Sequence, residues 1–249
     1  GYDGKSIKGS GTLGVGKLTY ERKRVGDLDL DLDAGYGLDG STNVLAGLRV
    51  NGEKAMSLFA NLVPDETSGL KPDSVGLSLT RFPLKIANPF LGQSVVLGGY
   101  LNGNMRMDGS FARPVLNGEI EFDSVRARVP MMDATLRFEQ DTVGVTDNVV
   151  RFSDFNVFGA NENPLSLNGT VNAANFSNIL FDLRLAASNM QLIKSDRRSK
   201  GDIFGKIFLN LNAGVKGPMS LLDIDGNVSI LGTTDATSVS YTHLTLPTT

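Results

Sequence analysis

Asp27-Leu-Asp-Leu-Asp-Leu-Asp33 alternates an acidic and an apolar residue with a period of two. Successive side chains of a β-strand point to opposite faces. The stretch therefore predicts a strand with Leu28, Leu30 and Leu32 on one side and four carboxylates on the other. The same alternation recurs outward from it. Met105-Arg-Met107, Ile120-Glu-Phe122 and Phe181-Asp-Leu-Arg-Leu185 set their apolar residues two apart, and Lys206-Ile-Phe-Leu-Asn-Leu-Asn212 places Ile207, Leu209 and Leu211 on one face. Antiparallel sheets with one solvated side read this way.

Asn51-Gly52, Asn102-Gly103, Asp108-Gly109, Asn117-Gly118, Asn168-Gly169 and Asp225-Gly226 read as hairpin turns, because Asn and Gly tolerate positive φ. Their rhythm predicts on the order of fifteen short sequential strands. Two segments break the pattern. Pro83 and the apolar residues after it predict a short helical turn over 83–91, limited by Pro89. Ala187 to Lys200 reads as a loop. Gly99 to Gly118 and Gly205 to Gly226 share a plan of Gly, alternating strand, Gly, Pro, Gly and strand. Repetition on this scale favours one extended sheet over a closed globule.

The 249 residues are 41% hydrophobic, enough for one large core or one long sheet. A net charge of −3 gives no electrostatic reason for a nucleic-acid partner. The basic runs at 21–24 and 196–200 are mixed with acids or hydroxyls and read as solvated turns or strand edges. With no cysteine there is no disulfide framework and no thiolate metal site. The chain opens at Gly1 and contains no signal peptide or membrane-spanning stretch, so it reads as an internal piece of a longer protein. Residues 1–237 read as one continuous unit. Residues 238–249 read as a translated sequencing-adapter tail.

Enzymatic chemistry is not legible. Gly9-Ser-Gly-Thr-Leu-Gly14 and Gly35-Tyr-Gly-Leu-Asp-Gly40 match a dinucleotide fingerprint in spelling, but neither leads into a helical pattern. The Asp27–Asp33 ladder lacks the glycine and glutamate of a calcium loop, with Leu32 and Leu38 at those places. On a strand its carboxylates lie about 6.5 Å apart, too spread for one ion. The single histidine, His243, falls in the suspected tail, which leaves none for a catalytic triad or a zinc site. The expectation is no enzyme, no metal and no cofactor.

Arg81-Phe-Pro-Leu-Lys-Ile-Ala-Asn-Pro-Phe-Leu91, Gly98-Gly-Tyr-Leu-Asn-Gly103 and Met107-Asp-Gly-Ser-Phe-Ala-Arg-Pro-Val-Leu-Asn-Gly-Glu-Ile120 together resemble the C-terminal domain of the TamB/AsmA-like family, in a Bacteroidetes-like wording. Val149-Val-Arg-Phe-Ser-Asp-Phe155, Pro164-Leu-Ser-Leu-Asn-Gly-Thr-Val171 and Asp225-Gly-Asn-Val-Ser-Ile230 continue the series. The resemblance implies an all-β chain whose long, curved, mainly antiparallel sheet forms an open, taco-like apolar groove. It further implies the periplasmic portion of an inner-membrane-anchored protein in a Gram-negative cell envelope, with the anchor outside this chain. The implied partners are phospholipid acyl chains and an outer-membrane barrel of the Omp85 type, TamA or a relative. The candidate groove lining is Leu28, Leu30, Leu32, Leu77, Leu79, Leu101, Met105, Met107, Ile120, Phe122, Phe181, Leu183, Leu185, Ile207, Leu209 and Leu211.

Two functions stay open at this level. One is a conduit for phospholipid between the membranes. The other is a scaffold for outer-membrane protein assembly whose apolar face is an ordinary packed core. Alternation alone cannot tell a groove from the inside of a β-sandwich.

Overall fold

The described residues form a single antiparallel sheet of fifteen strands, each lying beside its sequence neighbour with two local exceptions. The fold is described from a computed structural model, over residues 6–67, 69–91, 94–110, 113–175, 177–196 and 203–238. The strands are β1 Ser6–Tyr20, β2 Lys23–Gly37, β3 Thr42–Val50, β4 Glu53–Asp65, β5 Gly69–Pro83, β6 Val96–Ser110, β7 Arg113–Val129, β8 Ala134–Phe138, β9 Thr142–Thr146, β10 Val149–Phe158, β11 Pro164–Asn172, β12 Leu180–Ser195, β13 Ile203–Pro218, β14 Asp223–Ile230 and β15 Asp235–Ser238. One exception is β8 and β9, which together fill one position between β7 and β10; the other is β14 and β15, which both pair with β13. The suspected tail, from Val239 on, and the basic run past Asp196 lie outside the described residues.

The segment after Pro83 is a 3₁₀ helix, Leu84–Phe90. A second, unforeseen 3₁₀ turn, Pro130–Met132, joins β7 to β8 and ends on Asp133 at φ 44°. The loop expected from Ala187 onward is instead the second half of β12. The physical reason is a bulge: Asn189 sits at φ 51° and the pairing with β13 slips between Ala187 and Met190. The extra residue hides the period of two without ending the strand.

That bulge belongs to a set of five among the described residues. Lys17, Arg81, Ser124, Asp154 and Asn189 all have φ between 50° and 55°, each beside a register shift. They lie in β1, β5, β7, β10 and β12, strands that the antiparallel order makes run in the same direction. Each interrupts alternation with a spacing of three: Val15 to Leu18, Leu79 to Phe82, Phe122 to Val125, Phe152 to Phe155, and Ala187 to Met190. The apolar residue after the bulge returns to the apolar face.

Only one of the six hairpin signals named above makes a connecting turn. Asn51-Gly52, with φ 53° and 85°, links β3 to β4. The other five lie within strands. In two of them the asparagine reaches across to a bulge on the neighbouring strand: Arg81 N–H donates to Asn102 Oδ1 at 2.7 Å and Asp154 N–H to Asn168 Oδ1 at 2.8 Å. The glycine that follows allows close approach. A Cβ on Gly103 would collide with the Glu119 carbonyl, and one on Gly169 with the Asp182 carbonyl.

The sheet coils. β12 packs against β8 although β10 and β11 lie between them in the pairing order. The helix Leu84–Phe90 leaves β5 yet packs on β6, β2 and β1, with Tyr20 and Phe90 rings 4.6 Å apart. Many of the buried apolar residues, Val125, Ala127, Phe155, Val157, Met190 and Ile193 among them, follow the bulges. The bends therefore sit where the sheet closes most tightly.

Candidate functional site: one apolar face across the sheet

The register places all sixteen candidate lining residues on one face. A single row of cross-strand partners shows how. It runs Leu13, Leu30, Leu48, Met56 and Leu79 across β1 to β5, then Gly103, Ile120 and Val143. Beyond β9 it resumes as Phe152, Gly169, Leu183, Val215 and Ile224. No member is polar. The adjacent row, one residue along every strand, reads Thr12, Asp31, Gly47, Ser57, Ser78, Asn104 and Glu119, then Gly144, Arg151, Thr170, Asp182, Lys216 and Asp223. It holds no apolar side chain. The strands thus keep one apolar and one wet face in step, which a single slip of register would reverse.

On the wet face the polar groups pair with each other. Arg49 bridges Asp31 at 2.7 Å, and Ser78 donates to Asn104 at 2.7 Å. The Asp27–Asp33 ladder is part of this solvated face. Exposed pairs of this kind contribute little stability.

The apolar face is sheltered but not sealed. None of the sixteen residues is fully buried; Leu30 and Leu32 are 39% and 45% exposed, and the other fourteen are half-buried. Ile224 and Val228 at the β14 edge are 67% and 63% exposed. The chain exposes 16,061 Å², against ~10,700 Å² expected of a compact protein of its mass.

One part of the face is packed. Phe155, 1% exposed, sits among Phe122, Phe138 and Phe152 with ring centroids 5.0, 6.3 and 5.6 Å away. Val143 and Val157 complete a buried cluster, with Leu165 and Leu167 against it. Of these, only Phe122 was legible as lining. Phe152 and Phe155 were hidden by their spacing of three, and Phe138 and Val143 by strands only five residues long.

Among the described residues no helix is long and apolar enough to cross a membrane. No curated protein and no solved structure matches the chain. A family model does: residues 151–242 match the TamB C-terminal domain. This stretch begins in β10 and takes in β11 to β15. It includes Phe181, Leu183, Leu185, Ile207, Leu209 and Leu211 of the apolar face. Over these residues the chain is similar to the TamB C-terminal domain.

Proposed function

We propose that the apolar face carries phospholipid acyl chains between the inner and outer membranes, in support of outer-membrane assembly. The observation behind this reading is the apolar row that crosses the sheet, partly exposed over most of its strands, with a row free of apolar side chains beside it. An acyl chain of ~15 methylenes crossing water costs ~12 kcal/mol at ~0.8 kcal/mol per methylene. A continuous apolar wall removes most of that cost, and a charge anywhere along it would restore part of it. The family match supports the setting in the envelope. The inner-membrane anchor and an Omp85-type barrel partner belong to the same proposal, with the anchor outside this chain.

A second reading has its own support. The phenylalanine cluster around Phe155 is packed like an ordinary core. Were the rest of the face to close as tightly, the protein would be a scaffold for protein assembly with no lipid path.

Lipid content separates the two. Chain purified from a Gram-negative host without added detergent should contain phospholipid in its organic extract, detected by mass spectrometry. A Leu183→Asp and Leu209→Asp double variant should lose it while keeping its strand signal. Lipid-free wild-type protein would leave the scaffold reading.

A further inference from the structure

Where β2 begins, its first residues face the helix Leu84–Phe90 and the start of β6 across a cavity of about 320 Å³. Three cations, Lys23, Arg24 and Lys85, line it together with Val25, Asn88, Pro89, Val95 and Val96. Among the described residues that line it, none is acidic. The cavities between β1 and β4 differ: Lys8 shares one with Asp33, and Arg49 and Lys54 share another with Asp31 and Asp33. Lys23 has an interaction partner of its own, and Arg24 meets Asp27 at 3.3 Å, with both of those side chains well exposed, 65% and 44%. Such a pair is weak and yields to a stronger anion.

The walls are held in place. Asn88 donates from Nδ2 to the Leu97 carbonyl at 2.9 Å and accepts the Leu97 N–H on Oδ1 at 2.7 Å, which pins the helix to β6. Pro89 is buried beneath it, and the Tyr20–Phe90 contact ties the helix to the end of β1. The cavity therefore lies on a seam between two parts of the coiled sheet. Val25 is on the same strand as Leu28, Leu30 and Leu32, three residues before the first of them, so the cationic seam lies at the end of a strand that contributes to the apolar face.

We propose that this seam binds a phosphate group, and that the phosphate is the headgroup of a glycerophospholipid whose chains lie on the apolar face. Lysine and arginine recognise phosphate oxygens through charge-assisted hydrogen bonds. The volume falls at the small end of ligand pockets and suits a headgroup rather than a whole lipid. The anion site stands on the three cations alone. The lipid source of the phosphate rests on the groove reading proposed for the apolar face.

The test titrates the purified full chain with inorganic phosphate and with dihexanoyl-phosphatidylglycerol below its micelle concentration, by calorimetry. Three proteins are compared: wild type, Lys23→Gln with Lys85→Gln, and Lys216→Gln on distant β13. All three changes alter surface lysines, and circular dichroism checks that the strands remain. The expected result is tighter binding of the lipid than of phosphate. Both should weaken by at least about tenfold, or ~1.4 kcal/mol, in the double variant and stay unchanged in Lys216→Gln. Phosphate binding lost in the double variant, with no preference for the lipid, would keep the anion site and reject the groove reading. Lipid binding equal in wild type and double variant would overturn the seam while leaving the groove. Binding of neither compound to wild type would overturn the seam outright.

Discussion

The backbone N–H of Asp154, held at φ 51° in β10, donates to Asn168 Oδ1 on β11 at 2.8 Å, and Asn168 returns a hydrogen bond from Nδ2 to Asp154 Oδ1 at 2.9 Å. The same clamp recurs at Lys17 with Asp27, Arg81 with Asn102, and Asn189 with Asn210, at 2.6 to 2.7 Å. A left-handed residue inside a strand takes its N–H out of the ladder. An amide or carboxylate oxygen on the next strand satisfies it.

Removing the acceptor should therefore cost more than removing the bulged side chain. Asn168→Ala is expected to lose ~1–3 kcal/mol, the cost of an unsatisfied donor. Asp154→Gly relieves the left-handed backbone and should cost less, since glycine adopts positive φ freely. Urea unfolding of both variants checks the order. Equal losses would mean that the clamp does not hold the bulge.

The packed and open parts of the apolar face should respond differently to truncation. Phe155→Ala empties a sealed site and should cost ~3–5 kcal/mol. Leu183→Ala trims a half-exposed side chain, and its loss should fall below the ~2–5 kcal/mol typical of core Leu→Ala. Equal values in urea unfolding would show that the face is sealed at Leu183 as well.

Asp39 offers a pH handle at the β2–β3 turn. The Ser41 hydroxyl donates to its Oδ1 at 2.7 Å and the Ser41 N–H at 3.0 Å; together, the hydroxyl first, they hold its carboxyl below the ordinary aspartate pKa. A depressed carboxyl pKa stabilises the turn above the unfolded value, and that contribution fades as pH falls through the folded one. In Ser41→Ala the Asp39 titration, followed by NMR, should move up toward an ordinary aspartate. An unchanged midpoint would contradict the assignment of the hydroxyl as the main cause.

Strict alternation made much of this fold legible. The patterns at Leu28–Leu32 in β2 and Ile207–Leu211 in β13 survive because uninterrupted stretches of strand keep the period of two. What stayed hidden came from interruptions that leave the strand intact. The Asn189 bulge made half of β12 look like a loop. Asn102-Gly103 and Asn168-Gly169 spell a turn in isolation, yet their neighbours across the sheet use them as a clamp and a close approach. The cationic seam was illegible for another reason. Lys23 and Arg24 meet Lys85 only because the sheet coils, and local sequence carries no record of that meeting.

The most direct test of the apolar path is photo-crosslinking in living cells. A photoreactive residue at Leu183 or Leu209 faces the apolar side. Controls at Asp182 and Asn212 lie one residue away from lining positions, on the wet side. Asn210 is unsuitable as a control, because it clamps the Asn189 bulge. A lipid-bearing groove predicts phospholipid adducts at Leu183 and Leu209 and none at Asp182 or Asn212. Adducts to protein alone at both leucines would contradict it and leave the scaffold reading.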